Sequence, residues 1–387
     1  MAIMEGRQPV FRIEYLSDEN KNDWAVFCLS CKNAWYWHTI EFQEFIIASY
    51  KYGTIRNMSF IVYYNDALVA VVPLLICELE RIKGIPVKEI VYSGWANPYP
   101  AISTGITEQE AEGLTSFIFD HISSIAKEVG VARAVFSIFY QQIDLYQRCL
   151  KRNILLNQPG YLNISEHAQV VDLSEDINKI ESSFRKRFMR YIRANQEKID
   201  IEIITDKNIS QLHCDECLDL SGKDSSQEWP AEKMPYLYSA VVAGQGILVH
   251  CRLKESQLPV GYLFVVVYKG YAFDFAVAVN DEYKDLRISH AMKLAAIRFL
   301  KAKEVKSYEL GIATFGSTMH RISTEKRRAI TYFKNGFANN IMSMFIAEKY
   351  YDREYLLAMA RQRIELLEKD LFLEEGIKDE EKKSASV

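Results

Sequence analysis

Along this chain, apolar positions recur every second residue in short stretches and every third or fourth in longer ones, as in strands and amphipathic helices respectively. Residues 12–16 read as a strand, 23–31 and 39–51 as helices, 59–64 and 68–78 as strands turned at Asn65-Asp66, and 89–93 as a further strand. A long helix is predicted over 107–129, opened by Thr107 and Glu110 as a capping box. A strand over 134–139 and a helix over 144–152 follow. The second half repeats the order: strand 201–205, helices 209–222 and 231–242, strands 246–253, 260–268 and 272–279, a helix after Ser289, a strand at Tyr308, a helix over 324–333 and a strand over 341–345. One order occurring twice implies an internal repeat, and strands alternating with helices imply α/β layers around a mixed sheet.

The repeat divides the chain into a first domain over 11–165 and a second over 166–350, with a C-terminal helix over 351–373 and a charged, mobile tail over 374–387. A connector containing Pro159-Gly160 spans 157–171. In the C-terminal helix, Leu356, Ala360, Ile364, Leu367 and Leu371 form one face, which packs on the second domain or binds a partner.

With 387 residues, 49% of them hydrophobic and 25% charged, the chain can bury two ordinary cores and is not disordered. A formal net charge of −4 gives no global field for nucleic acid, so phosphate binding must be local. The longest apolar run, 67–77, is interrupted by Pro73 and too short to span a bilayer. The first ten residues lack the apolar core of a secretory signal, and a cytoplasmic protein is expected. Two CxxC pairs, Cys28/Cys31 and Cys214/Cys217, lie in helical patterns among apolar residues. They read as buried structural cysteines, and no metal site is expected.

Residues 273–337 carry the chemistry. The strand over 273–279 runs through Asn280-Asp281-Glu282-Tyr283-Lys284-Asp285-Leu286-Arg287-Ile288-Ser289 into a helix; a second strand and Tyr332-Phe333-Lys334-Asn335-Gly336-Phe337 follow. This stretch resembles the core of GNAT N-acetyltransferases, whose Tyr-x-x-x-Gly-Phe element supplies a tyrosine as general acid. The family's loop glycines are replaced by Arg287 and Ser289, whereas Lys284 matches its basic residue. Lack of a full glycine loop, with Phe333-Lys334-Asn335-Gly336-Phe337 and the basic helix over 181–198, resembles FemAB-type acyl- and aminoacyltransferases, which have two such domains in tandem.

The resemblance implies two tandem GNAT-like acyl-CoA N-acyltransferase folds. It implies transfer of an acyl or aminoacyl group from acyl-CoA or aminoacyl-tRNA to an amine of an amino sugar or peptide in a cell-envelope precursor. The first domain, with the aromatic, proline-rich loop 94–100 in place of an anion loop, would serve the acceptor. Acyl-CoA is the expected co-substrate, with no tightly bound cofactor. The partners are a small-molecule donor and acceptor, the latter possibly a nucleotide-linked sugar. The absence of a long coiled-coil arm speaks against tRNA. A non-catalytic ligand-binding protein retaining the fold is the rival reading, favoured by the missing glycines.

On this resemblance Tyr332 is the general acid; Asp274 and Glu309, on the strands flanking the cofactor helix, are candidate bases, as are His38 and His290. Val279, Lys284, Arg287, Ile288, Ser289 and His290 would hold the cofactor, because a helix N-terminus with a cation binds phosphate. Lys334, Trp37, His38, Trp95, Tyr99 and Arg190 are candidate substrate contacts. Each has a plainer alternative: a packing tyrosine, solvent-facing carboxylates, structural histidines. Two basic clusters stand out: Arg185 to Arg193, and His320, Arg321, Lys326, Arg327 and Arg328. They bind a phosphate-bearing ligand or are solvated faces.

Overall fold

The computed structural model describes residues 11–92, 95–223 and 233–384, with side chains to residue 371. The first half runs β1 (Phe11–Tyr15), α1 (Lys21–Ser30), α2 (Ile40–Ala48), β2 (Ile55–Asn57), β3 (Phe60–Tyr64), β4 (Ala67–Val72), β5 (Leu75–Ile82), β6 (Ile85–Ile90), β7 (Asn97–Pro98), β8 (Ala101–Ile102), α3 (Glu108–Val129), β9 (Val131–Ile138) and α4 (Ile143–Lys151). The second runs β10 (Tyr161–Asn163), β11 (Glu166–Asp172), α5 (Ile177–Ser183), α6 (Lys186–Asn195), β12 (Ile199–Ile204), α7 (Gln211–Lys223), α8 (Met234–Val242), β13 (Gly246–Leu253), β14 (Pro259–Tyr268), β15 (Tyr271–Val279), α9 (Ile288–Ala302), β16 (Ser307–Ala313), α10 (Glu325–Lys334), β17 (Asn340–Tyr350) and α11 (Arg353–Ser384).

One mixed sheet runs through both halves in the order β12-β13-β14-β15-β16-β11-β17-β9-β6-β5-β2, and β1-β3-β4-β8 form a smaller sheet. Parallel pairing occurs in each half, β6 and the short β7 with β9 and β15 with β16, among otherwise antiparallel neighbours. The fold is therefore α/β, built as two units in tandem. They share an edge rather than standing as separate sheets. The N-terminal part of β17 pairs with β11, and its C-terminal part, from Phe345 to Tyr350, pairs with β9.

Several expectations need correction. The connector contains β11, which inserts between β16 and β17. The apolar run at 68–78 is two strands, divided where Pro73 cannot donate to a ladder. The basic helix breaks at Phe184, whose extended backbone (ψ 149°) ends α5, and Arg185 N–H turns to the Gly336 carbonyl at 2.9 Å. Residues 231–232 of one expected helix lie outside the described residues. α11 runs on through Ser384 where a mobile tail was expected, in keeping with the helix propensity of Glu and Lys. It packs on β5 of the first half as well as β17. The capping box of α3 forms as expected: Thr107 Oγ1 accepts from Glu110 N–H at 3.2 Å, and Glu110 accepts from Thr107 N–H at 2.8 Å.

The halves dock through an aromatic cluster. Trp35, Trp37, Phe42 and Phe45 meet Phe264, Tyr268 and Phe273 across the boundary. Trp35 Nε1 donates to the Tyr268 carbonyl at 3.2 Å. At the β14–β15 turn, Lys269 Nζ donates to the carbonyls of Cys28 and Ala34, each at 2.9 Å, and of Cys31 at 2.5 Å, satisfying carbonyls at the end of α1. In the second half α9 buries Ile288, Met292, Leu294, Ile297 and Leu300 over the sheet. Each such side chain contributes roughly 1.5–3 kcal/mol by leaving water.

Candidate active site

Where β15 and β16 run side by side, the sheet carries charge into its apolar face. Glu309 on β16 is fully buried, accepts from Gln141 Nε2 at 2.9 Å through Oε2, and leaves Oε1 without a partner. Burial pushes its carboxyl up to about 7, against the opposing effects of Gln141 and the Lys334 charge. Asp274 on β15 pairs with Lys293 of α9, a buried lysine that also donates to Tyr308 Oη at 3.1 Å. Burial lowers the Lys293 pKa and the Asp274 charge works against that. Asp274 Oδ1 has no hydrogen-bond partner.

Both carboxyls line one cavity of about 420 Å³, with Lys334, Thr331, Arg327 and the Trp95 ring on its other sides. Lys334 Nζ lies over Gly311, 2.8 Å from where a Cβ would stand. Gly311 (φ 98°) thus provides the backbone conformation and the room for the ammonium. The helical period explains what α10 presents: Thr331 and Lys334, three residues apart, share a face, and Thr331 Oγ1 accepts from Thr314 N–H at 2.9 Å. The site can take a proton at Glu309 and offer a cation at Lys334 within one cavity.

The structure thus gathers Asp274, Glu309, Lys334 and Trp95. Tyr332 does not join them. It points away from the cavity, is half exposed, receives a 2.6 Å hydrogen bond from Arg187, and has the Arg185 guanidinium 3.6 Å above its ring. His38 is fully buried and holds backbone. Its Nδ1 accepts from Trp35 N–H at 3.0 Å and its Nε2 meets the Tyr99 carbonyl at 2.9 Å, while burial lowers its pKa to about 4. Tyr99 is buried in the first half's core. Trp37 backs the cavity wall, its ring 5.0 Å from Phe273. Arg190 is exposed on α6.

The expected cofactor residues form a separate group. α9 starts on Arg287, in the left-handed region at φ 54°, with its guanidinium 5.4 Å from the Tyr191 ring centroid. Lys284 is exposed, Ile288 is buried against Gly261, and Val279 ends β15 beside it. Ser289 is half-buried. His290 is ringed by Phe188, Phe333, Tyr191 and Phe337, and burial with the nearby Arg287 charge lowers its pKa to about 4. None of these six residues lines the 420 Å³ cavity. The cysteines of both CxxC pairs are buried, with burial raising the Cys28 and Cys31 thiols. Among the described residues no helix is long and apolar enough to cross a membrane.

Sequence reasoning missed Lys293 and Gln141. A lysine in a helix reads as solvent-facing, although the buried neighbours at Ala291, Met292 and Leu294 mark this turn as enclosed. Nothing local marks Gln141, whose partner is 168 residues away.

A solved structure of FemX aligns with probability 1.00 and TM-score 0.59, over 90% of this chain and all of FemX, at 10% identity. The chain has the fold of FemX. The same fold is seen in a conserved protein of unknown function from Bacteroides thetaiotaomicron, with TM-score 0.51 and 8% identity over 88% of this chain and all of that one. No protein-family model and no curated protein matches the sequence.

Proposed function

We propose that this FemX-like chain is an N-acyltransferase, moving an acyl or aminoacyl group from acyl-CoA or aminoacyl-tRNA to the amine of an amino sugar or peptide in a cell-envelope precursor. The observation that carries this reading is Glu309: a buried carboxyl with one free oxygen lining the 420 Å³ cavity, titrating close to neutrality. Such a group suits general-base catalysis near pH 7. The acceptor ammonium gives its proton to Glu309, and the amine attacks the acyl carbonyl. The C–N bond forms, Lys334 stabilises the oxyanion, the nitrogen of the tetrahedral adduct gives its second proton to solvent, and the C–S or C–O bond then breaks as the first proton passes from Glu309 to the leaving group. The acceptor class follows from the FemAB resemblance.

The test is a panel of acyl-CoAs and aminoacyl-tRNAs against amino sugars and short peptides, read by product mass. Transfer by the native protein and its loss in Glu309→Gln support the reading. Donor consumption unaffected by Glu309→Gln overturns it.

A further inference from the structure

Beside the catalytic cavity lies a second one of about 510 Å³, sharing Trp95, Arg321, Arg327 and Ile346 with it. α11 walls this outer chamber with Met359, Gln362, Arg363 and Leu366. Its lining is basic: Arg81, Arg133, Arg321, Arg327 and Arg363 come from both halves and from α11. Three carboxylates pair with them. Glu89 meets Arg81 at 2.6 Å and Arg133 at 3.0 Å; Glu348 meets Arg133 at 3.2 Å and Arg363 at 2.7 Å; Glu166 meets Arg321. Among the described residues Arg327 has no carboxylate partner, and its guanidinium donates to the Ile322 carbonyl at 2.8 Å. Among the described residues, five guanidiniums face three carboxylates, a surplus of two positive charges. The Arg133 side chain is 8% exposed and Arg363 18%, so solvent screens them weakly.

We propose that the outer chamber is a binding site for a phosphate-bearing dianion, which seats its phosphate among these arginines and extends its remaining part past Trp95 into the catalytic cavity. A phosphate monoester carries close to two negative charges at neutral pH, matching the surplus. Planar guanidiniums suit its oxygens. The proposal adds a ligand class to the acyltransferase reading and is tested without it.

The experiment is calorimetric and thermal-shift titration of the full chain with inorganic phosphate, pyrophosphate and, as a non-phosphate dianion, succinate. Saturable binding of the two phosphates, raising Tm with concentration and weakening at high salt, is expected. Two variants each weaken it about tenfold or more: Arg327→Gln, which frees no buried carboxylate, and Met319→Glu, which adds a repelling charge to the chamber wall. Arg190→Gln on exposed α6 leaves it unchanged. So does Glu309→Gln, so that loss of transfer and loss of anion binding are separate results. No saturable phosphate binding, binding equally sensitive to Arg190→Gln, or succinate bound as tightly as phosphate would overturn the proposal.

Discussion

Gln141 Nε2 donates to Glu309 Oε2 at 2.9 Å, so a side chain of the first half holds the carboxyl carried by the second. Both are almost wholly buried. The cavity is therefore a property of the docked pair of units, and its acid–base behaviour depends on their docking.

The first prediction follows from the sign of the Glu309 shift. Its carboxyl titrates at 4.5 when unfolded and near 7 when folded. The folded state holds the proton more tightly, so the associated stability is fully present below pH 4.5 and is lost as pH rises through 7. The loss is roughly 3 kcal/mol. Activity should rise over the same interval as the base ionises. Denaturant unfolding and kcat/KM measured across pH 4 to 8 should thus move in opposite directions, and Glu309→Gln should flatten the stability difference. A pH-independent stability gap between the native protein and Glu309→Gln would show that the carboxyl titrates normally.

The second concerns Asp274 and Lys293. Each side chain is nearly buried and each is the other's charge partner. Removing one leaves an uncompensated buried charge, at about 3–5 kcal/mol. Asp274→Leu should cost that much, and Asp274→Leu with Lys293→Met should recover most of it in urea melts. If Asp274 serves only to hold Lys293, the double variant keeps its turnover; if its free Oδ1 contacts substrate, the variant is stable and inactive. Additive losses would remove the pair as a unit.

The third concerns Tyr332. Its hydroxyl sits at the surface on Arg187, so Tyr332→Phe should change the rate by no more than about threefold and stability by less than about 1 kcal/mol. A fall of about 10² or more in kcat would make it the general acid after all. Lys334→Ala, which removes the ammonium over Gly311, should be much the more damaging of the two.

The elements around the site were legible because the β15 and α9 patterns are long and strongly periodic. Asp274 and Glu309 stood out as charges inside apolar strands. Tyr332 stood out too, through its spacing to Gly336. One residue along a helix is a rotation of about 100°, however, and that rotation turns Tyr332 to solvent while Thr331 and Lys334 line the cavity. β11 escaped notice because its pairing is wholly long-range, with β16 and β17, and its sequence follows a Pro-Gly pair that reads as a linker. Lys293 and Gln141 are defined by distant partners, which no local pattern records. The arginines of the outer chamber come from β5, β9, α10, α11 and the segment before α10, so only the cluster at 320–328 was visible as a group.

The final prediction explains the glycine of Tyr-x-x-x-Gly-Phe by packing. Gly336 is buried, its carbonyl accepts from Arg185 N–H, and a Cβ there would overlap the Phe188 ring. That ring cannot retreat freely: it stands edge-on to His290 at 4.4 Å and packs on Phe337 at 5.0 Å. Gly336→Ala should therefore destabilise the protein by about 1–3 kcal/mol through overpacking. The displaced ring should also admit water to His290, raising its pKa from about 4 toward the ordinary 6.5, as NMR titration of the imidazole would show. Phe188→Leu removes the colliding ring edge. Although it costs stability alone by leaving a cavity, it should partly rescue Gly336→Ala, so the two changes together cost less than their sum. Strict additivity would mean that the glycine is required for something other than the seat of Phe188.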